Sequence, residues 1–413
     1  MARVGTKVVA ENARSWVEID EKRLAENYAV VREATGEDTD VLAVVKANAY
    51  GHGLERCAVA LASAGVPWLG VADAAEGARV RRALEVAGVG RDAVEILSMC
   101  GVTHNEARGV AELGLTPVVW TMEQVVWLTE AAHASGGKIS MRVHVEVDTG
   151  MSRQGVRPGA ELKELLSAIE RAGLALDGVC THFSSAEVVG SERTQEQKRR
   201  FEAAVAQVKE MGFKPRWVHA GSSSSVDVGG NSTWLESMAK SVGARAMVRA
   251  GIALYGYSLP AISEGANSTG HKEGAASHIR ARLKPVMTWK THVLDVREVA
   301  AGEAIGYNAT FTAKSAMRVA VLPVGYADGL RRELSGTNER AGGWVMLRGA
   351  DGAMRRANIV GRVSMNLATV DVTGIKSVSV GDEVVLLGDG TTADDHARIA
   401  GTIAYEILCG ARS

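Results

Sequence analysis

Several marks of function are missing from this sequence, and each absence narrows the reading. It has only four cysteines in 413 residues. Cys57, Cys100, Cys180 and Cys409 lack metal-ligand spacing, so they are expected to be reduced, mostly buried thiols of a cytoplasmic protein. The ten histidines form no His-x3-His pair or similar spacing, which leaves a metal enzyme without support. No apolar run approaches the roughly 18 residues needed to span a membrane. The opening segment, MARVGTKVVAENAR, lacks the apolar core of a signal peptide. An excess of one charge is missing too: the formal net charge is −1, and nothing suggests a nucleic-acid surface or a polyanionic partner.

What is present is apolar residue in a regular arrangement. Hydrophobic residues make up 46% of the chain, enough for two domains. Eight short apolar runs read as strands: Val41–Ala47, Trp68–Asp73, Val94–Met99, Leu115–Trp120, Ile139–Asp148, Leu176–Phe183, Trp217–Ser223 and Met247–Gly256. Helix-like stretches such as Leu54–Gly65, Met122–Ser135, Gly159–Gly173 and Thr194–Gly212 lie between them. Eight such units over about 250 residues predict a closed (β/α)8 barrel. A doubly wound open sheet is the alternative, and it would normally show a Gly-rich turn after its first strand, which is absent.

Near Leu259 the alternation stops. Pro260–Ser277 is rich in Gly, Ser and Ala and reads as a surface linker. Beyond it, Val286–Val299, Arg318–Val324, Trp344–Arg348, Ile359–Val363, Ala368–Val372 and Glu383–Leu387 look like strands without intervening helices. One helix closes the chain from about Ala393, with Thr392 or Asp394 as N-cap and Asp395 in its first turn. The expected division is an N-terminal segment 1–20 whose strand packs on the β domain, a barrel over 21–258, a linker over 259–284, and a smaller all-β domain with its terminal helix over 285–413.

Lys46 follows five apolar residues at the tip of the first barrel strand. Barrel active sites lie at the carboxyl ends of the strands. A lysine desolvated in such a mouth is more readily neutral, and a neutral amine is what condenses with an aldehyde. On its own, a strand-end lysine reaching to solvent is an equally simple reading.

The surrounding run, Lys-Ala-Asn-Ala-Tyr-Gly-His-Gly, resembles the cofactor-binding signature of the alanine racemase family. The resemblance extends through Val-Asp-Thr-Gly-Met-Ser-Arg (147–153), Thr-His-Phe (181–183), His-Ala-Gly-Ser-Ser (219–223), Arg-Ala-Gly-Ile-Ala-Leu-Tyr-Gly (249–256), Gly-Tyr-Asn-Ala-Thr-Phe (306–311), Pro-Val-Gly-Tyr-Ala-Asp-Gly (323–329) and Gly-Arg-Val-Ser-Met-Asn (361–366). It implies a barrel followed by a β domain, a pyridoxal 5'-phosphate cofactor, alanine as substrate, and a homodimer whose subunits share active sites. Lys46 would bind the cofactor as a Schiff base. Ser222, Ser223, Gly251 and Ile252, with Tyr50 and Tyr405, would hold its phosphate. His182 and His219 would lie near its ring, and Arg249 would meet the ring nitrogen, donating a hydrogen bond to it without protonating it. Lys46 and Tyr307 would serve opposite faces of the substrate Cα, Tyr307 being lent by a second subunit. Arg153 and the Met365 backbone would meet the substrate carboxylate, while Tyr326, Arg332 and Arg362 would line the entrance.

Two positions depart from the pattern. Glu146 stands where many family members carry a carbamate-modified lysine, and its carboxylate is expected to hold Arg153. Ser364-Met365-Asn366 stands where many read Cys-Met-Asp and resembles the broader-specificity amino-acid racemases, for which serine is a candidate substrate. A basic-amino-acid decarboxylase of the same barrel type is disfavoured by Tyr307 in its motif. A non-catalytic cofactor carrier is disfavoured by the intact C-terminal domain.

Overall fold

The structure, a computed structural model, describes residues 13–134, 141–229, 232–263 and 277–412. The expected linker and the start of the fifth strand candidate therefore fall largely outside the described residues. Two compact units make up the chain. One comprises Glu21–Ala49 and Gly53–Lys284; the other comprises the segment up to Asp20, Tyr50–His52, and the chain from Pro285 onward.

The first unit is a (β/α)8 barrel. Strands Thr39–Val44, Trp68–Val71, Glu95–Ser98, Thr116–Val119, Arg142–Glu146, Ala175–Cys180, Trp217–His219 and Arg245–Ala250 follow one another around it, and the eighth pairs with the first. Every pairing is parallel. Both faces of such a strand are covered, so it can be apolar throughout: Val41, Leu42, Ala43 and Val44 are all buried. Two of the helices begin where side chains satisfy their free N–H groups. Asp73 accepts from Glu76 N at the start of Ala74–Val86, and Thr103 forms a capping box with Glu106 before His104–Leu113.

The seventh and eighth strands are shorter than the apolar runs that predict them. The seventh ends at His219, because Ser222 starts a short helix, Ser223–Val228. The eighth ends at Ala250, and the apolar Ile252–Tyr255 is a buried 3-10 turn closed by left-handed Gly256. Burial alone did not separate a turn from a strand there.

The second unit is mainly β. Ser15–Ile19 lies antiparallel to Met287–His292, with Val17 opposite Trp289, at the edge of a five-stranded sheet completed by Glu383–Leu387, Trp344–Arg348 and Met354–Asn358. Asp295–Val299, Met317–Leu322 and Ala368–Asp371 form a three-stranded sheet.

Four expectations need correction. Val286–Val299 is two strands, because Val293 N donates to Asp382 O and Leu294 N to Val321 O, handing the chain from one sheet to the other. Ile359–Val363 makes only isolated bridges; the strand is the polar Met354–Asn358, an edge strand on which Ala357 alone is buried. The terminal helix is two, Ala393–Ala400 and Ala404–Gly410, separated at left-handed Gly401, with Thr392 as the N-cap. Of the cysteines, Cys57 and Cys180 are buried, but Cys100, in the loop after the third barrel strand, and Cys409, on the last helix, are exposed.

Candidate active site

Beyond the first barrel strand the chain makes an unusual turn. Ala47, Asn48, Ala49 and Tyr50 all have φ between 53 and 55°, the left-handed region. For residues with a Cβ this costs roughly 1–2 kcal/mol each. Hydrogen bonds hold the turn. Ala49 N donates to Val45 O, Asn48 N to Glu76 Oε1, and Asn48 Oδ1 accepts from Leu54 N and from Arg79. Lys46 stands at the head of this turn, partly buried. Strain held in place by surrounding contacts is typical of a position selected for geometry.

Arg249, on the eighth strand, is 7% exposed. Its Nη1 donates to His219 Nδ1 at 3.0 Å and to His219 O at 3.2 Å; its Nη2 donates to Thr181 O at 2.7 Å and to His182 Nδ1 at 3.0 Å. The four Nη hydrogens are thus spent, and among the described residues the Nε–H meets no acceptor and remains as a donor. Burial and the charges of Arg249, Arg153 and Lys46 push His182 down to about 3. Burial, with His144 and Arg249, holds His219 well below the ordinary histidine range. Both rings are neutral at pH 7.

The turns after the seventh and eighth strands are tied together. Ser223 Oγ accepts from Gly251 N at 3.0 Å and Ala253 N at 3.1 Å. Of the four residues expected to hold phosphate here, Ser223 and Gly251 therefore spend these groups on each other. Ser222 caps the short helix, and Ile252 opens the adjoining turn. A helix or 3-10 start leaves N–H groups without an intrahelical acceptor. Two such starts joined side by side are a cradle that suits an anion.

Glu146 ends the fifth strand, 7% exposed. The following loop is organised by Asp148, whose Oδ1 accepts from Gly150, Met151 and Ser152 N. At Gly155, φ +109°, a Cβ would lie 2.6 Å from Asp148 N, so only glycine fits the return of the chain. Glu146 Oε2 accepts from Gln154 Nε2 at 2.6 Å, whereas Arg153 is exposed. Burial raises the Glu146 pKa, opposed by Arg249, the Gln154 bond, Arg153 and Lys46. One barrel mouth thus carries Lys46, Glu146, Arg153, His182, His219 and Arg249.

The second unit holds the remaining expected residues. The Tyr50 and Tyr405 rings are 5.8 Å apart, and burial raises the Tyr50 pKa. Tyr307 opens a short turn after Gly306 and is 65% exposed. A Cβ on Gly306 would lie 3.1 Å from Arg362 N, so the Tyr307 turn packs on the 361–366 loop. Tyr326 N donates to Ser364 O and Ala327 N to Met365 O, joining the Tyr326 turn to the same loop. Tyr326, Met365, Arg332 and Asn366 are exposed, and Arg362 is half-buried.

Residues 19–259 match the family model of the alanine racemase N-terminal domain, and residues 286–413 match that of the C-terminal domain. The chain belongs to the alanine racemase family. The alanine racemase of Methylacidiphilum infernorum is 34% identical over 406 residues, 97% of this chain and 91% of that protein. The solved structure of the alanine racemase from Streptomyces coelicolor superposes with a TM-score of 0.83 at 32% identity, covering 97% of this chain and 96% of that one. That of Bartonella henselae, which holds covalently bound pyridoxal phosphate, gives 0.76 at 25% identity, covering 97% and 98%. Alanine racemase motifs guided the sequence reading to these residues, and positions outside the motifs went unnoticed. Gln154, His144, Asp177 and the Asn48–Glu76 pair were missed. Gln154 directly follows the 147–153 motif and Asn48 lies within the Lys46–Gly53 motif, but no local signal ties either to its partner.

Proposed function

We propose that this chain is a pyridoxal 5'-phosphate-dependent alanine racemase, working as a homodimer that interconverts L- and D-alanine. The observation that carries the reading is Arg249: an always-charged donor, clamped by four acceptors, with one N–H left over. Such a group gives a hydrogen bond to a ring nitrogen and keeps its own proton. The residues present fit the cofactor. Lys46 supplies the amine, Arg249 Nε–H the ring contact, and Ser222, Ile252, Tyr50 and Tyr405 are suited to the phosphate, with Ser223 and Gly251 bracing the cradle. When bound, the cofactor supplies an electron sink for the bond between Cα and its hydrogen.

The chain's own groups supply the rest. Lys46 Nζ and Tyr307 Oη each hold or take a proton, one on either face of Cα. Tyr307 comes from a second copy of the chain; its exposure, with that of Tyr326, Met365 and Leu367 on the same unit, supports a partner surface. Arg153 and the Met365 backbone bind the substrate carboxylate. Glu146 anchors the Arg153 loop through Gln154. Tyr326, Arg332, Arg362 and Asn366 border the entrance. Sparse free thiols support a cytoplasmic setting; among the described residues no helix is long and apolar enough to cross a membrane. The test is D-alanine formation from L-alanine by purified protein, together with its visible cofactor absorbance. Both should vanish in Lys46→Ala, and a variant retaining both overturns the assignment of Lys46.

A further inference from the structure

A string of polar side chains runs through the barrel, from partly exposed groups at its amino end through buried Asp177, His144 and His219 to Arg249. Glu95 and Arg142 begin the third and fifth strands, and Arg216 immediately precedes the seventh. Arg142 and Arg216 both pair with Glu95, at 2.6 and 3.1 Å. Arg216 also grips Asp177 through Nε at 2.6 Å and Nη2 at 2.8 Å. Asp177 Oδ2 lies 3.5 Å from His144 Nε2. His144 Nδ1 meets His219 Nε2 at 2.8 Å, and His219 Nδ1 meets Arg249. Both rings are fully buried. The fold makes room for His144 deliberately: it sits opposite Gly178, where a Cβ would lie 2.6 Å from its Nδ1, and beside the Trp68 ring at 5.5 Å.

The donors and acceptors in this string have one consistent assignment. Arginine only donates, so His219 Nδ1 must accept, and its single proton sits on Nε2. That N–H donates to His144 Nδ1, so the His144 proton sits on Nε2, facing the Asp177 carboxylate. Reversing His219 would set its Nδ1–H against Arg249, and reversing His144 would set its Nδ1–H against the Nε2–H of His219.

We propose that His144 and Asp177 are positioning residues: they fix the His219 tautomer and so hold the Arg249 guanidinium with Nε–H free for the cofactor ring. The inference rests on the racemase reading for its purpose, but its physical core can be measured separately. His144 meets His219 and Asp177 lies against His144, so each acts on Arg249 through the next side chain in the string.

Histidine-15N spectra of the full-chain holoenzyme test this directly. His144 and His219 should both be the neutral Nε2–H tautomer. Asp177→Asn should give His219 an Nδ1–H population and weaken pyridoxal phosphate binding about tenfold, read as Kd by equilibrium dialysis. His144→Leu should weaken it similarly, while His144→Gln, whose amide can accept from His219 and donate towards Asp177, should stay within about twofold of the parent. An Nδ1–H or doubly protonated ring at either position in the parent enzyme overturns the proposal, and so does an unchanged Kd in both Asp177→Asn and His144→Leu. If Asp177→Asn fails to fold, the parent tautomers and the two His144 variants still decide. Failure of the racemase reading would appear elsewhere, as absent D-alanine formation by the parent enzyme.

Discussion

Glu146 Oε2 accepts a hydrogen bond from Gln154 Nε2 at 2.6 Å, and Gln154 Nε2 also reaches Met99 O at 3.1 Å. The carboxylate therefore secures the residue beside Arg153, and it acts on Arg153 itself only through space. Glu146→Gln keeps the shape and removes the charge. Because Arg153 is assigned to the substrate carboxylate, the loss should fall on KM for alanine, rising about tenfold with kcat nearly unchanged. Gln154→Leu should act in the same direction by freeing the loop. Steady-state kinetics in both directions check this, and added bicarbonate should leave the parent enzyme unaltered. Unchanged kinetics in both variants would remove Glu146 from the site's machinery.

The left-handed turn that carries Lys46 stores strain that glycine would release. Ala47 is exposed at φ 55°, so Ala47→Gly loses no packing. Relief of roughly 1–2 kcal/mol is offset by about 0.5–1 kcal/mol of added backbone freedom in the unfolded chain. The variant should gain up to about 1.5 kcal/mol in urea-unfolding free energy and lose turnover, since Lys46 is then less firmly aimed. Lower stability with full activity would contradict the account of this turn.

Much of the fold could be read from runs such as Val41–Val45, because a strand buried on both faces must be apolar along its whole length. The same rule hid what lies inside the barrel. His144 and Asp177 interrupt their strands with polar groups, and nothing local reveals that Gly178 vacates space for one and Arg216 neutralises the other. Met354–Asn358 escaped notice because an edge strand needs little apolar content, its pairing with Trp344–Arg348 being set by main-chain bonds. At the site, motif residues such as Lys46 and Arg249 were accessible through resemblance. The Gln154 partner was not, since a bond between side chains eight residues apart depends on the loop that Asp148 folds.

Acid should destabilise this protein well above the usual carboxylate range. Burial lowers the pKa of His144 against the pull of Asp177, holds His219 well below its ordinary value, puts His182 at about 3 and puts His396 at about 4. In the unfolded chain these histidines take up protons near pH 6.5; in the fold they do not. The unfolded state then binds more protons, so stability falls as pH drops below about 6.5, by about 1.4 kcal/mol per histidine per pH unit until the folded group titrates. Asp177, whose pKa is lowered, adds to the loss only below its ordinary value. Glu146, whose pKa is raised, opposes the trend over its own window, as one group against four. Urea-unfolding free energies from pH 7 to pH 4.5 should decline steeply, and a flat profile would mean the rings are charged or solvated.

A site shared between subunits, as proposed, sets the activity expected of mixed dimers. Lys46→Ala removes the amine and Tyr307→Phe removes the phenol, and the second alone should lower kcat by at least about 10². Co-expressed, the two chains pair at random, and about half of the dimers are hybrids. In a hybrid, one site draws Lys46 from the Tyr307→Phe chain and Tyr307 from the Lys46→Ala chain, and is intact. The other site lacks both groups. One working site in half of the dimers gives about a quarter of the parent activity. If both groups came from one chain, every site would lack one of them and mixing would recover nothing. The recovered fraction therefore measures, without a structure of the assembly, whether Tyr307 crosses between subunits.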